Sequence, residues 1–288
     1  TRPNFEVSKN VNLVPPNHLF SLSAGYDRYN IIGAGKTAVD AICFLVDSGV
    51  PKEKIYWFVS QDSWFWSREI VQPPLVGKAF LALLDAVNNN KLADEAFLDL
   101  EKIGNVFRLD KDIRPTKWKC ATISKKELET VRNIQNVIRK GRVKKVTNNN
   151  IFLERGKERN TERSITVNCS ACGLASRPEK KIFSENSIIL QSTMMCQQVF
   201  SASIIAKIES SNLGVGEKNA LVSPVSHPEL VDDLPKCLFQ SFKNLDQVNR
   251  KFPLWMRAAR LNGSAQQNLI SYLADGAEAL KQIRKASL

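Results

Sequence analysis

Three small residues at a fixed spacing carry the sharpest chemical signal in the sequence. Gly33-Ala34-Gly35-Lys36-Thr37-Ala38 fits the pattern G-x-G-x-x-A. In a strand–turn–helix, the first glycine permits a sharp turn and the second lets backbone approach a pyrophosphate with no Cβ in the way. The third small residue lets the helix pack close against the strand. Unpaired amides at the helix start, together with its macrodipole, then favour a negative group. Gly33, Ala34, Gly35, Lys36 and Thr37 are therefore the candidate phosphate-side residues; the bland alternative is an ordinary glycine turn in an unrelated α/β protein.

A second group lies about one strand further on. In this kind of turn the residue ending the next strand meets the adenine ribose, and an acid there holds a free 2′-hydroxyl and repels a 2′-phosphate. Here the strand KIYWFV (Lys54 to Val59) runs into Ser60 and Gln61, with Arg68 a few residues on. That set favours NADP(H) over NAD(H). Asp62 is the residue that reverses the preference if it, rather than Ser60, marks the strand end, and Arg68 reads equally well as a solvated surface arginine.

The third group is Cys169-Ser170-Ala171-Cys172. A C-x-x-C pair can cycle between dithiol and disulfide when one thiol's pKa is lowered. Two cysteines are also small enough to be packing residues at a strand end. A structural zinc is disfavoured, because a second C-x-x-C or an H-x-x-x-H is missing. The two histidines, His18 and His227, sit beside asparagine or proline in loops with no evident acid partner, so a hydrolase triad has no support.

These residues need particular elements around them. Tyr29 to Ile32 is an apolar strand, and from about Lys36 the pattern becomes an amphipathic helix ending near Ser48-Gly49-Val50-Pro51. Lys78 to Val87 and Leu92 to Ile103 carry apolar residues three and four apart and read as a helical pair inserted beside the nucleotide domain. Ser124 to Arg139 reads as one helix opened by a capping box (Ser124, Glu127) and closed by Gly141. Arg142 to Val146, Ile151 to Glu154 and Ser164 to Cys169 read as strands. Ser187 to Leu190 reads as a further strand, Met195 to Glu209 as a helix, Gly214 to Pro235 as a loop or boundary, and Leu238 to Leu288 as a helical tail. The fold class expected is α/β: a Rossmann-type domain with a parallel sheet, a helical insertion and a helical C-terminal region.

IIGAGKTAVDA followed by IYWFVSQDSWFWSR resembles the NADPH-binding half of flavoprotein oxidoreductases that carry two dinucleotide-binding domains, relatives of the flavin-dependent monooxygenases and the pyridine-nucleotide disulfide reductases. The similarity continues through Arg108-Leu109-Asp110, Pro115-Thr116, Cys120-Ala121-Thr122, Gly141-Arg142-Val143 and Cys169-Ser170-Ala171-Cys172-Gly173-Leu174, and so covers most of Thr1 to about Asn219. The resemblance implies NADP(H) as cofactor, with FAD bound if the missing N-terminal domain is supplied. NADPH would hand a hydride to the flavin, which passes electrons to oxygen or another small-molecule acceptor. It also implies that Gly173 lies in a glycine-containing turn near the cofactor, and that Gln191 and the Ser192-Thr193 cap are flavin-side contacts, the favoured alternative being a helix cap and nothing more. Complete members open with an FAD-binding domain and its own glycine fingerprint, whereas this sequence opens on TRPNFEVSKNVNLVPPNHLF. The expected division is therefore a connector (1–24), an NADP(H)-binding domain (25–175), and the last part of an FAD domain with a helical tail (176–288). A homo-oligomer or a separate FAD-domain segment is the expected protein partner.

Composition bounds the alternatives. With 43% hydrophobic and 24% charged residues the 288-residue chain is of the globular class, with room for one large or two modest cores. No apolar run approaches the roughly 20 residues of a membrane helix, and six scattered cysteines suit reduced thiols, so a cytoplasmic protein is expected. The net charge of +12 is concentrated: residues 102 to 163 hold 18 Lys or Arg against 7 Asp or Glu. Such a region can steer a polyanion such as NADPH, bind nucleic acid nonspecifically, or be a lysine-rich solvated face, which is the favoured reading of the three. With only Phe107, Trp118 and Phe152 to stack bases and no recognition motif, nucleic acid is the disfavoured partner. A non-catalytic nucleotide-binding module and a basic nucleic-acid-binding protein remain the alternatives to the oxidoreductase.

Overall fold

The computed structural model describes residues 3–21, 25–73, 75–171, 178–263 and 269–286. Along the chain these form β1 (Glu6–Val7), β2 (Leu13–Val14), β3 (Arg28–Ile32), α1 (Lys36–Asp47), β4 (Ile55–Phe58), β5 (Ser63–Ser67), α2 (Val76–Asn89), α3 (Ala93–Lys102), β6 (Val106–Arg108), β7 (Lys117–Ile123), α4 (Lys125–Arg132), β8 (Asn136–Ile138), β9 (Val143–Val146), β10 (Asn150–Leu153), β11 (Gly156–Arg159), β12 (Ser164–Asn168), α5 (Gln198–Glu209), α6 (Val215–Leu221), α7 (Leu234–Lys251), α8 (Pro253–Ala258) and α9 (Leu269–Ala286). They group into two compact units. The first is 1–65 with 107–174, the second 66–106 with 175–288, and the chain passes between them within β5, within β6 and again after residue 174.

The first unit is a Rossmann-like α/β structure. Its five-stranded sheet has the order β2-β12-β3-β4-β8, and every neighbouring pair is parallel. The period of two along each strand divides the burial. Tyr29 and Ile31 of β3, Ile55 and Trp57 of β4, and Ile165 and Val167 of β12 share one core with Ala38, Val39, Ile42 and Leu45 of α1 and Leu128 and Val131 of α4. The alternate residues Ile32 and Phe58 belong to a second core with Phe5, Val143, Val146, Ile151 and Leu153. That second core is closed by the sheet β1-β9-β10-β11, in which β9, β10 and β11 form an antiparallel meander and β1 pairs parallel with β9. The parallel sheet is thus covered by helices on one face and by strands on the other, as its uninterrupted burial requires. Residues 3–21, expected as a connector, add a strand to each sheet.

Between the sheets lies a buried polar row. Arg28 Nε donates to Asn30 Oδ1 (2.7 Å), and Asn30 Nδ2 donates to Asn160 Oδ1 (3.0 Å) and Thr166 Oγ1 (3.4 Å). The Arg28 guanidinium lies 3.4 Å from the Tyr56 ring centroid. Burial lowers its pKa, against the weaker pull of Tyr56 and Glu158.

Several segments differ from their sequence reading; within Gly214 to Pro235, expected as a loop or boundary, Val215–Leu221 forms α6. The helix expected over Ser124 to Arg139 ends at Arg132, and Asn136–Ile138 becomes β8, the edge partner of β4. The capping box is formed as expected, but the β-branched Val137 and Ile138 fit the pleated, half-buried sheet edge better than a fourth helical turn. The segment Ser187–Leu190, expected as a strand, makes one isolated bridge, Ile188 to Phe183.

The second unit is helical, from α2 and α3 through α5 to α9; α5, α7 and α8 share a core of Ile182, Phe183, Phe200, Ile204, Ile205, Ile208, Val222, Val248 and Met256, and α2 packs with α3 and α9. Helix α5 starts at Gln198, three residues later than its apolar pattern suggested. The preceding residues are held otherwise: the amides of Thr193 and Met194 donate to Ser201 Oγ, that of Met195 to Ser241 Oγ, and Met195 takes φ +31°. Among the described residues no helix is long and apolar enough to cross a membrane.

Candidate functional site

The turn after β3 is built around a glycine that nothing else can replace. Gly33 has φ +132°, and a Cβ there would collide with the Cys169 carbonyl group, whose carbon would lie at 2.7 Å. Its amide donates to Phe58 O (3.1 Å), and its carbonyl accepts from Trp57 Nε1 (2.7 Å). Both the backbone angle and the approach of β12 therefore require glycine. Ala34 is buried, and Ala38 is fully buried where α1 meets the sheet. Gly35 is the N-cap of α1 with an extended backbone (φ −94°, ψ −178°), which any residue adopts. What glycine contributes there is the missing side chain beside the helix start.

That helix start is uncapped. The amides of Ala38 and Val39 both return to Gly35 O (3.0 and 3.2 Å), and among the described residues no side chain caps the helix. Among the described residues nothing accepts from the amides of Gly35, Lys36 or Thr37. A cleft of about 380 Å³ reaches Thr37 of this helix start and is lined also by Leu13 and Val14 of β2, by Pro15 and Pro16 after it, and by Asn168, Cys169 and Ala171 at the end of β12. In the strand order, β3 stands between β4 and β12, where successive connections leave in opposite directions. A crevice outside the carboxyl ends at such a switch point is where open α/β sheets hold ligands.

The charged residues at the turn are engaged with one another. Lys36 Nζ bonds the Asp40 carboxylate one turn along α1 and Glu127 Oε1 on α4 at 3.0 Å. Burial pushes the Glu127 carboxyl up, but the Ser124 amide and Lys36 outweigh it, and the group stays below its ordinary range.

At the end of β4, Ser60 and Gln61 are exposed, and Gln61 Nε2 donates to Thr116 Oγ1 (3.2 Å). Asp62, the residue capable of reversing the nucleotide preference, is buried in a two-point pairing with Arg139 (3.1 and 3.2 Å). Arg139 also reaches Asp110 at 3.3 Å. Sequence reasoning placed Arg139 at the end of a helix and missed this role; its position directly after the β-branched run Val137-Ile138 was the available signal. Arg68 belongs to the second unit, in the turn after β5, where its carbonyl accepts from Gln72. Gln191 spends both ends of its amide on the backbone of Lys180 (3.0 and 2.6 Å). Gly173 and Cys172 lie outside the described residues.

Cys169 is buried beneath the glycine turn. Its burial, reinforced by Asp40, pushes the thiol up to about 12, and burial likewise raises Cys43 to about 11. Neither has the depressed pKa of a reactive thiol, and Cys169 acts here as a small residue against which Gly33 packs.

Comparison with known proteins finds relatives in mycobacteria. The chain is 34% identical over 265 residues to the uncharacterized protein Rv2000 of Mycobacterium tuberculosis (strain H37Rv), and to the uncharacterized protein Mb2023 of Mycobacterium bovis. The match takes in 90% of this chain and 49% of each relative, so the chain spans about half the length of the curated relatives it matches. No protein-family model matches, and no solved structure matches.

Proposed function

We propose that the first unit binds NADP(H) and serves an NADPH-dependent flavoprotein oxidoreductase, with monooxygenase-like chemistry as one form. The observation that carries this reading is the uncapped start of α1. Among the described residues nothing accepts from three successive backbone amides, at Gly35, Lys36 and Thr37, and Thr37 lines a cleft at the end of a parallel sheet, behind a turn that only glycine can make. Amides so placed, at the positive end of a helix, suit a diphosphate. The adenosine 2′-phosphate would lie toward Ser60 and Gln61, where the one nearby acid of that turn, Asp62, is already neutralised by Arg139. FAD would carry the redox chemistry, while this chain positions the nicotinamide nucleotide and balances its charge. The buried thiol of Cys169 takes no part.

Support for this reading comes from the turn and from the sequence resemblance; Gln191, held by Lys180, is not part of it. The test is an absorbance spectrum of the purified protein with and without NADPH, alongside calorimetric titration with NADPH and NADH. Flavin bands that bleach on adding NADPH are expected, with NADPH binding tighter than NADH. A colourless protein that still binds NADPH identifies a nucleotide-binding module without its own flavin. Absence of binding to either nucleotide removes the proposal.

A further inference from the structure

A strand end that receives an adenosine 2′-phosphate needs a cation within reach, and an arginine is the usual one. The sequence offers Arg68 for that place, but Arg68 belongs to the second unit. The first unit supplies an arginine of its own. Strand β8 is the edge neighbour of β4: Phe58 pairs with Ile138, and the Val59 amide donates to Ile138 O (2.9 Å). Arg139 and Lys140 therefore leave β8 level with Val59 and Ser60, at the carboxyl edge where parallel sheets hold ligands. The hairpin of β10 and β11 reaches the same corner through its two-residue turn, Glu154-Arg155. The Arg155 amide donates to Lys140 O (2.9 Å), and its guanidinium Nη2 donates to Arg139 O (2.9 Å).

The acids at this corner are engaged with other groups. Asp62 and Asp110 share Arg139, and Glu158 Oε1 holds Lys140 at 2.6 Å. Glu154 accepts from the Arg142 amide (3.0 Å) and pairs with Lys144 (3.2 Å). Arg155 is exposed, and among the described residues it has no carboxylate partner. One arm of its planar fork is fixed on backbone, which leaves the remaining donors for an anion. A guanidinium already oriented in this way loses less freedom on binding than an untethered lysine.

We infer that Arg155 receives the 2′-phosphate of NADP(H) beside Ser60 and sets the preference for that nucleotide over NAD(H). The inference rests on the nucleotide-binding reading above. Ser60 and Gln61 are uncharged and can bond a hydroxyl or a phosphate alike, so the discrimination falls to a cation. Asp62, paired with Arg139, does not oppose it.

NADP⁺ and NAD⁺ differ only in the 2′-phosphate and make the matched pair of probes. Calorimetric titration of the full chain near neutral pH is expected to show NADP⁺ binding tighter by about tenfold or more. Arg155→Ala is expected to cut that ratio about tenfold, weakening NADP⁺ and sparing NAD⁺. Arg155→Lys keeps the charge without the fork and is expected to retain part of the preference. Lys157→Ala removes an exposed charge from the same hairpin and is expected to leave the ratio unchanged. Equal binding of the two nucleotides by the unaltered protein overturns this inference alone. So does an unchanged ratio in Arg155→Ala, or an equal fall in Lys157→Ala. Binding of neither nucleotide by the unaltered protein overturns the nucleotide reading itself. Should Arg155→Ala fail to fold, Arg155→Lys decides in its place, an unchanged ratio again counting against the inference.

Discussion

Gly33 and Gly35 occupy the same motif for different physical reasons, and substitution separates them. Gly33→Ala places a Cβ against the Cys169 carbonyl at a left-handed backbone angle. We expect it to cost about 2–4 kcal/mol in denaturant unfolding, from backbone strain and overpacking together. Gly35→Ala meets no such angle. It should shift the unfolding midpoint less than Gly33→Ala while weakening NADPH binding, because the new methyl stands beside amides from which no described residue accepts. If Gly35→Ala instead destabilises the fold and leaves binding intact, the turn is structural and the ligand lies elsewhere.

At the scale of elements, α4 is what turns the region beside α1 into a charged clamp. Its capping box uses Ser124 and Glu127, and the same Glu127 reaches Lys36 on α1. Ser124→Ala is expected to lose about 1 kcal/mol, the usual loss for an N-cap hydroxyl. The pH dependence follows from the depressed carboxyl of Glu127. Its stabilising contribution is fully present above the unfolded glutamate value of about 4.3 and is lost as pH falls through the lower folded value. Glu127→Gln should therefore flatten the acid limb of the stability curve below about pH 4.3, measured by thermal melts across pH. An acid limb identical to that of the unaltered protein would show that the clamp contributes nothing to folding.

For the molecule as a whole, the basic segment proves to be less uniform than its count suggests. Lys140 pairs with Glu158, Lys144 with Glu154, Lys145 with Glu6 and Arg163 with Asp27. The excess is thus interleaved with acids over the strand layer rather than gathered around an aromatic platform. If the nucleotide reading holds, ligand and folding are linked. NADPH at a hundred times its dissociation constant should stabilise the unit that binds it by about 2.7 kcal/mol, raising its melting midpoint by several degrees. NADH at equal concentration should do less. A midpoint indifferent to both nucleotides, yet raised by single-stranded oligonucleotides at low salt, would turn attention to the basic surface instead.

The apolar runs of β3, β4 and β12, the small residues of the glycine turn and the amphipathic α1 were legible in the chain, because burial on both faces of a parallel strand and a tight turn each impose local rules. The same locality made Ser124 and Glu127 readable as a cap. Nothing local marked the end of α4 at Arg132, since Val137 and Ile138 become a strand only by pairing with β4. Nor could spacing reveal that Lys36 is held by Glu127, that Asp62 is held by Arg139, or that Gln191 is tied to Lys180, because each pairing joins residues far apart in the chain or in separate segments of it. The sequence alone determined the glycine turn and the helix start at which we propose a phosphate is met by backbone. Only the folded arrangement decided which nearby charges are free to meet it, because an ion pair is settled by distance in space and not by order along the chain.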